Sequence, residues 1–149
     1  MTAGVRPARA EDVPRITELI TGEHLPAYGL DEFLGSFFVL EDGERVVGCV
    51  GLEVYGEAAL LRSVVVAPER RRRDVGRLLV EAALAEARRL GVARVYLFTM
   101  SADGFFGRLG FRLVQPEEFE EAVRASRQYE AVSRLPDLRA RIKAMALEL

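Results

Sequence analysis

The spacing of apolar residues along the chain predicts strands and helices in alternation. Val13, Ile16 and Ile20 recur three or four positions apart, which indicates a helix with one buried face. After this helix, turn signals at residues 41–44 and 55–57 separate apolar runs, which predicts three antiparallel strands in succession. The predicted elements of this half are a strand at residues 5–8, a helix at 11–21, a helical turn at 31–34, and strands at 37–40, 45–54 and 58–66.

The second half has a crossover pattern. The strand at residues 58–66 runs through a charged loop into a long amphipathic helix, which Gly91 ends, and a strand follows at 93–99. Because such crossovers are right-handed, the two flanking strands are expected to be parallel neighbours. The remaining predicted elements are a helix at 102–109, a strand at 111–114, a helix at 116–126, a strand at 128–133 and a helix from Pro136 to the carboxyl end. The series predicts an α/β (α+β) protein with a mixed sheet of six or seven strands, an antiparallel first half, and helices on both faces.

Length and composition exclude several functional classes. With 149 residues, half of them hydrophobic, the chain fits a single domain over residues 1–149, and no apolar run approaches the ~18 residues of a membrane span. Residues 1–10 lack the apolar core of a secretory signal and Cys49 is the only cysteine, so we expect a cytoplasmic protein with a buried Cys49 thiol. The net charge of −2 argues against a nucleic-acid partner, and one histidine with one distant cysteine predicts no metal site.

The basic run at residues 70–73 joins the strand at 58–66 to the long helix. The first backbone N–H groups of a helix and the positive end of its dipole attract anions, and four arginines strengthen that attraction. A basic run is often only a solvated cluster of charge. Here a buried strand, a Pro-containing turn and a helix start that carries Gly76 follow in order, which favours a phosphate-binding loop.

This order of features resembles the signature of the GCN5-related N-acetyltransferase (GNAT) family. The family pattern is Arg or Gln, two residues, Gly, one residue, then Gly or Ala; residues 71–76 occupy it, with Asp74 in place of the first Gly. Phe105 and Phe106, followed by Gly110 and Phe111, are similar to the second family signature, in which many members place a Tyr general acid at the position of Phe106. Residues 59–64 and the Pro-rich tail are similar to acetyltransferases of arsenic-resistance operons and to bacterial amino-acid N-acetyltransferases.

The resemblance implies a GNAT fold, acetyl-CoA as co-substrate, and direct attack of an amine on the thioester without a covalent enzyme intermediate. It also implies that the strand before the basic loop bulges, that its backbone holds the pantetheine arm, that the loop binds pyrophosphate, and that the aromatic pair lies near the thiol. The implied cofactor-binding residues are Val64, Val65, Val66, Arg71, Arg72, Arg73, Asp74, Val75, Gly76, Arg77, Phe105 and Phe106.

The proton-transfer groups are less strongly indicated by the sequence. Glu53 is the first choice for the general base because it stands near the turn into the central strand, and Glu57 and His24 are the alternatives. Ser101 is a candidate for the general acid. The tyrosines also remain candidates, although none has the position expected in the family; they are Tyr28, Tyr55, Tyr96 and Tyr129.

Arg62 is the first candidate for binding the acceptor. A cation within an apolar strand must point into a cleft or pair with an acid, so Arg62 either binds the carboxylate of an amino-acid-like acceptor or forms a structural salt bridge. Tyr28 is a second substrate-binding candidate, on a loop at residues 25–30 that can cover a substrate site. The expected partner is a small-molecule amine, with no nucleic acid and no membrane, and a homodimer is left open. A non-catalytic CoA-binding or regulatory domain is the alternative, favoured by Asp74 and Phe106.

Overall fold

The computed structural model describes residues 3–70, 73–134 and 141–149. Within them seven strands form the sheet: β1 (Ala3–Pro7), β2 (Phe37–Asp42), β3 (Arg45–Tyr55), β4 (Ala58–Val66), β5 (Arg94–Thr99), β6 (Arg112–Val114) and β7 (Lys143–Glu148). The helices are α1 (Val13–Gly22), α2 (Leu30–Phe33), α3 (Arg73–Arg89), α4 (Asp103–Arg108), α5 (Glu121–Arg124) and α6 (Arg127–Ser133).

The strands follow one another in the sheet as β1-β2-β3-β4-β5-β7-β6. The β1/β2, β2/β3, β5/β7 and β6/β7 pairs are antiparallel, whereas β4 and β5 are parallel. Because α3 lies between β4 and β5 in the chain, these three elements are the predicted crossover unit. The predicted mixed α/β sheet is therefore confirmed.

Close contacts divide the chain into two units, one formed by Met1–Glu53 with Leu61–Leu90 and the other by Val54–Leu60 with Gly91–Leu149. In the first unit, α3 packs against β1 and β2. Its core contains fully buried apolar side chains from α1, β2, β3 and α3, among them Ile16, Ile20, Phe37, Val39, Leu52 and Leu79. The assignment of residues 1–149 to one domain stays a prediction.

Asp12 fixes the start of α1. Its carboxylate accepts two hydrogen bonds from the Arg6 guanidinium, at 2.8 and 3.0 Å, and one from the Arg9 N–H at 2.7 Å. Arg6 also donates to Glu41 of β2 at 3.0 Å, so one guanidinium connects β1, β2 and the beginning of α1. The Arg6 hydrogen bonds lower the pKa of Asp12, although burial acts in the opposite direction.

The second unit is built on aromatic packing. The Tyr96 and Phe119 rings are stacked at 4.3 Å between centroids, and Phe98 and Tyr129 pack against the same cluster. β7 lies between β5 and β6, and its central residues Ala144–Ala146 are all buried. The small side chains of Ala144 and Ala146 belong to this cluster and leave room for the rings.

Three predictions for the tail were wrong. Residues 128–133 lie in helix α6, not in a strand, and Ser126 caps that helix by accepting the Tyr129 N–H at 3.2 Å. Residues 143–148 form strand β7, not a helix; the predicted start of that helix, Pro136, lies outside the described residues. Residues 116–126 contain a 3₁₀ turn at Pro116–Glu118 and the short helix α5, not one continuous helix.

Candidate active site

The basic loop connects the carboxyl end of β4 to α3. β4 ends at Val66, a 3₁₀ turn spans Pro68–Arg70, and α3 begins at Arg73. The end of β4 is held against β3, because the Ala67 N–H donates to the Val47 carbonyl at 2.7 Å. The first turn of α3 therefore presents backbone N–H groups without helical partners directly after a buried strand.

Charged side chains lie on either side of this loop. Arg70 pairs with Asp42 of β2 at 2.8 Å, and Asp74 is exposed in the first turn of α3. Arg71 and Arg72 lie outside the described residues, and only the backbone of Arg73 is described. A helix of 17 residues has a full dipole at its start, so the backbone donors of α3 are suited to an anion, and the binding of CoA phosphates there stays a prediction.

β4 departs from regular strand geometry at Ser63. Its φ is 56°, in the left-handed region that residues other than glycine rarely adopt. The Ser63 carbonyl accepts from the Cys49 thiol at 3.3 Å, and its hydroxyl accepts from Arg62 Nε at 3.1 Å. The register of β4 with β5 covers Ala58–Leu60, and β4 continues six residues beyond it to Val66. A left-handed residue within a strand changes the direction in which the neighbouring backbone groups point, and the predicted bulge itself stays a prediction.

A cavity of about 240 Å³ lies against the end of β4. Val65, Val66 and Ala67 line it from the strand, and Leu19 and Gly22 line it from α1. The β4 segment predicted to hold the pantetheine arm therefore borders open space within the first unit.

Arg62 and Glu53 form a buried ion pair. Arg62 Nη1 lies 2.7 Å from Glu53 Oε2, and their side chains are 0% and 4% exposed. The same guanidinium donates to the backbone carbonyls of Tyr28 at 2.7 Å and Pro26 at 3.0 Å. The structure thus brings together three of the predicted site residues, Glu53, Arg62 and Tyr28, in the arrangement of a structural salt bridge.

The 25–30 loop is shaped around this guanidinium. Arg62 Cζ lies 5.8 Å from the centre of the Tyr28 ring and 5.7 Å from the centre of the Phe37 ring of β2. Gly29 has a φ of 80°, and a Cβ at this position would lie 3.3 Å from Arg62 Nη1. A side chain at residue 29 would therefore be strained by the backbone and crowded by Arg62.

Cys49 is a core thiol, as predicted. It is fully buried in β3, and burial raises the pKa of its thiol to about 12. Such a thiol carries almost no thiolate at neutral pH, so Cys49 is not an activated nucleophile.

The other proton-transfer candidates belong to other segments of the chain. His24 is exposed after α1 with a φ of 59°, and Glu57 is exposed in the turn before β4. Ser101 is exposed before α4. Tyr96 and Tyr129 belong to the aromatic cluster of the second unit. None of their predicted roles is tested by these positions.

The aromatic pair of α4 packs internally. Phe106 is buried and contacts Phe105 and Phe111 edge to face, with centroids 5.0 and 5.7 Å apart. The contact of Phe105 and Phe106 with CoA stays a prediction. Across the part of the chain that the structure covers, no three His, Cys, Asp or Glu side chains are grouped to hold a metal ion, and no helix is long and apolar enough to cross a membrane.

Comparison with known proteins identifies the family. A sequence model of the acetyltransferase (GNAT) domain matches residues 34–113, the segment that contains β4, the basic loop and α4. The chain belongs to the GNAT family. It is an acetyl-CoA-dependent N-acetyltransferase, so the predicted family, reaction and co-substrate are confirmed.

Two relatives match this GNAT acetyltransferase over most of their length. An uncharacterized N-acetyltransferase of Chlorobaculum tepidum is 35% identical over 127 residues, which cover 80% of the chain and 81% of that protein. An amino-acid acetyltransferase of Mycobacterium tuberculosis is 32% identical over 136 residues, covering 81% and 78%.

Solved structures show the same fold. A Mycobacterium tuberculosis protein in complex with CoA and NLQ has a TM-score of 0.81 and 27% identity, covering 98% of the chain and 99% of that protein. N-acetylglutamate synthase of Neisseria gonorrhoeae, complexed with coenzyme A and N-acetyl-glutamate, has a TM-score of 0.83 at 20% identity. The chain spans 35% of that synthase, so this second likeness concerns the fold alone.

Sequence reasoning missed Pro26 and Ser63 as partners of the ion pair, and it singled out Tyr28 without identifying its backbone carbonyl as the contact. The carbonyls of Pro26 and Tyr28 and the hydroxyl of Ser63 carry no side-chain signal that distinguishes them in the sequence. Gly29 was the one residue of this loop that could have indicated the contact. Glycine tolerates the left-handed conformation and lets another group approach the backbone closely.

Proposed function

We propose that this GNAT acetyltransferase transfers the acetyl group to the amine of an amino acid or an amino-acid-like compound. The observation that carries the proposal is the amino-acid acetyltransferase of Mycobacterium tuberculosis, 32% identical and matched over 81% of the chain. The match spans most of both proteins, 81% of the chain and 78% of that acetyltransferase.

The reaction needs a free amine placed against the thioester. The amine nitrogen bonds to the acetyl carbon, the carbon–sulfur bond breaks, a base takes the ammonium proton, and the CoA sulfur leaves and is protonated. The chain supplies orientation at β4 and N–H donors for the developing oxyanion, for which Val65 and Val66 are our candidates. Glu53 as the base and Ser101 as the acid stay predictions.

The phosphate site is expected to depend on backbone access more than on any one arginine. We therefore expect Gly76→Val to weaken acetyl-CoA binding, because a β-branched side chain in the half-buried first turn of α3 blocks the approach of phosphate to the N–H groups. Titration calorimetry measures the effect. Gly35→Val is the control, since a Cβ at Gly35 has nothing within 4 Å. Equal affinities of the two variants would contradict the assignment.

Asp74→Gly tests the departure from the family pattern. The exposed carboxylate at the start of α3 repels phosphate, so its removal should leave the fold intact and tighten CoA binding. Weaker binding by the variant would show that Asp74 has a positive role at the loop.

The acceptor class is tested by release of free CoA thiol across a panel of amines. Each amino acid is paired with the amine that lacks its α-carboxylate, and a polyamine and a peptide amino terminus are included. We expect turnover to favour the carboxylate-bearing member of each pair. Preference for the polyamine or the peptide would refute the acceptor class, and CoA binding without turnover of any amine would support the regulatory alternative.

Location and assembly are separate proposals. A cytoplasmic location stays a prediction from the sequence, and a homodimer stays an open possibility. Light scattering on the purified chain determines the oligomeric state. Nucleic-acid binding is a separate question, and salt-sensitive retention on immobilised nucleic acid would contradict the expectation that the partner is only a small molecule.

A further inference from the structure

The guanidinium of Arg62 is buried among partners that belong to three different segments. Glu53 comes from β3, Ser63 from β4, and the two carbonyls of residues 26 and 28 from the connection between α1 and α2. A buried cation is tolerated only when it is paired and hydrogen-bonded, and here the pairing acid neutralises the charge while the carbonyls use the remaining donors. The fork shape of arginine allows these contacts at once.

We propose that Arg62 is a positioning residue, which holds the 25–30 loop against β4 and so fixes one wall of the acceptor site. This inference rests on the proposed acetyl transfer to an amine beside β4. Arg62 precedes Val64 by two residues, so the residue that anchors the loop lies no more than about 7 Å along the chain from the proposed pantetheine edge. In this arrangement the Glu53 carboxylate neutralises the charge of the guanidinium and orients it.

The loop depends on this one side chain more than on its own backbone. The exposed or half-buried residues 26–29 cannot gain much from burial of apolar surface. Their carbonyl contacts to Arg62 therefore stabilise a segment that would otherwise exchange between conformations. Gly29, at a φ of 80°, allows the chain to turn closely over the guanidinium.

Anchoring and direct reading of a substrate carboxylate predict different kinetics. A carboxylate reader must release Glu53 or a loop carbonyl for the substrate, so its loss should affect only acceptors that carry a carboxylate. A positioning residue shapes the wall for every acceptor. Its loss should therefore raise the KM for carboxylate-bearing and carboxylate-free acceptors alike.

The experiment compares Arg62→Lys and Arg62→Met with the wild type. Lysine keeps the charge beside Glu53 but cannot bind the two carbonyls through a planar fork. We expect both variants to raise the acceptor KM about ten-fold or more and to change the acetyl-CoA KM less than about two-fold. Amide hydrogen exchange of residues 25–31 should become faster in both, while exchange in β2 stays slow.

A second pair of variants keeps the test valid if Arg62→Met does not fold. Gly29→Ala and Gly91→Ala introduce the same backbone strain, because both glycines have a φ of 80°. Only the Cβ at residue 29 meets Arg62, whereas a Cβ at residue 91 has nothing within 4 Å. We expect Gly29→Ala to raise the acceptor KM and loop exchange, and Gly91→Ala to lower thermal stability without changing either.

Several results would overturn the inference. Full recovery of KM and loop exchange in Arg62→Lys would mean that charge alone is needed, and a KM effect confined to carboxylate-bearing acceptors would mean that Arg62 reads the substrate. Equal acceptor KM and equal loop exchange in Gly29→Ala and Gly91→Ala would show that the loop does not shape the acceptor site. If the wild type acetylates no amine, the proposed function fails, but the anchoring role of Arg62 can still be tested by amide hydrogen exchange. Unchanged exchange of residues 25–31 in Arg62→Met would refute that role, and faster exchange would support it.

Discussion

Gly51 leaves the space that the Phe37 ring fills. The two residues are directly paired across β2 and β3, and Phe37 is fully buried. A Cβ built on Gly51 would lie 2.2 Å from Phe37 Cζ and 2.5 Å from Cε1. The substitution Gly51→Ala therefore places a methyl group inside the ring's present position.

The cost follows from the distance that the ring must move. Carbon atoms in ordinary contact are about 3.5 Å apart, so the Phe37 ring must shift by about 1.3 Å. A buried ring cannot swing into water, and this one also lies 5.7 Å from Arg62 Cζ. Overpacking of a core costs about 1–3 kcal/mol. At about 2 kcal/mol, Gly51→Ala should lower the Tm by about 4–8 °C in a domain of this size.

Thermal and urea unfolding followed by circular dichroism measure this cost. Gly4→Ala is the matched control, because Gly4 also lies in a strand and a Cβ there has nothing within 4 Å. Phe37→Leu should partly relieve the crowding, so the double variant with Gly51→Ala should be more stable than the two single losses added together. A Gly51→Ala protein that melts with the wild type, or strictly additive losses, would refute the reasoning.

Three further predictions concern single side chains. Cys49 should resist iodoacetamide in the native protein, because burial raises the pKa of its thiol to about 12, and should be alkylated once urea unfolds the chain; fast native labelling would contradict this. Arg6 lowers the pKa of Asp12 in the folded state, so the stabilisation is present above the unfolded value near 3.9 and is lost as the pH falls through the lower folded value. The stability difference between the wild type and Asp12→Asn should therefore shrink during acid titration, and a difference that grows would reverse the sign. Phe119→Ala should cost about 3–5 kcal/mol in urea unfolding, because its buried ring stacks on Tyr96, and a loss below about 1 kcal/mol would show that the cluster closes the gap.

The elements that the sequence predicted well have strong local signals. β3 and β4 are long apolar runs, and the turns that bound them place Gly43 and Gly56 at φ values of 68° and 69°. α3 has the 3.6-residue apolar period and ends before Gly91, at a φ of 80°. In each case the local conformational preference agrees with the tertiary structure. Apolar periodicity and turn residues were therefore sufficient to predict these elements.

The tail was predicted poorly because its preferences are decided by its neighbours. The sequence of β7, Lys-Ala-Met-Ala-Leu-Glu, consists of good helix formers. In the sheet it lies between β5 and β6, and both of its faces are buried at Ala144–Ala146, so the alternation that marks a strand is lost. Ala144 and Ala146 pack in one buried cluster with Tyr96 and Phe119, which are far away in the sequence.

At the candidate site, too, local sequence predicted part of the arrangement and tertiary structure decided the rest. A lone cation in an apolar strand implied a partner for Arg62, and the sequence correctly reduced the possibilities to a substrate carboxylate or an internal acid. It could not choose between them, because the choice depends on β3 and β4 bringing Glu53 within 2.7 Å and on two loop carbonyls that no side chain marks. These carbonyls also decide what the pair can do. An ion pair alone would be part of the core, whereas this one also holds a partly exposed loop. The Arg62 and Gly29 variants measure whether that loop shapes the acceptor site, as we propose.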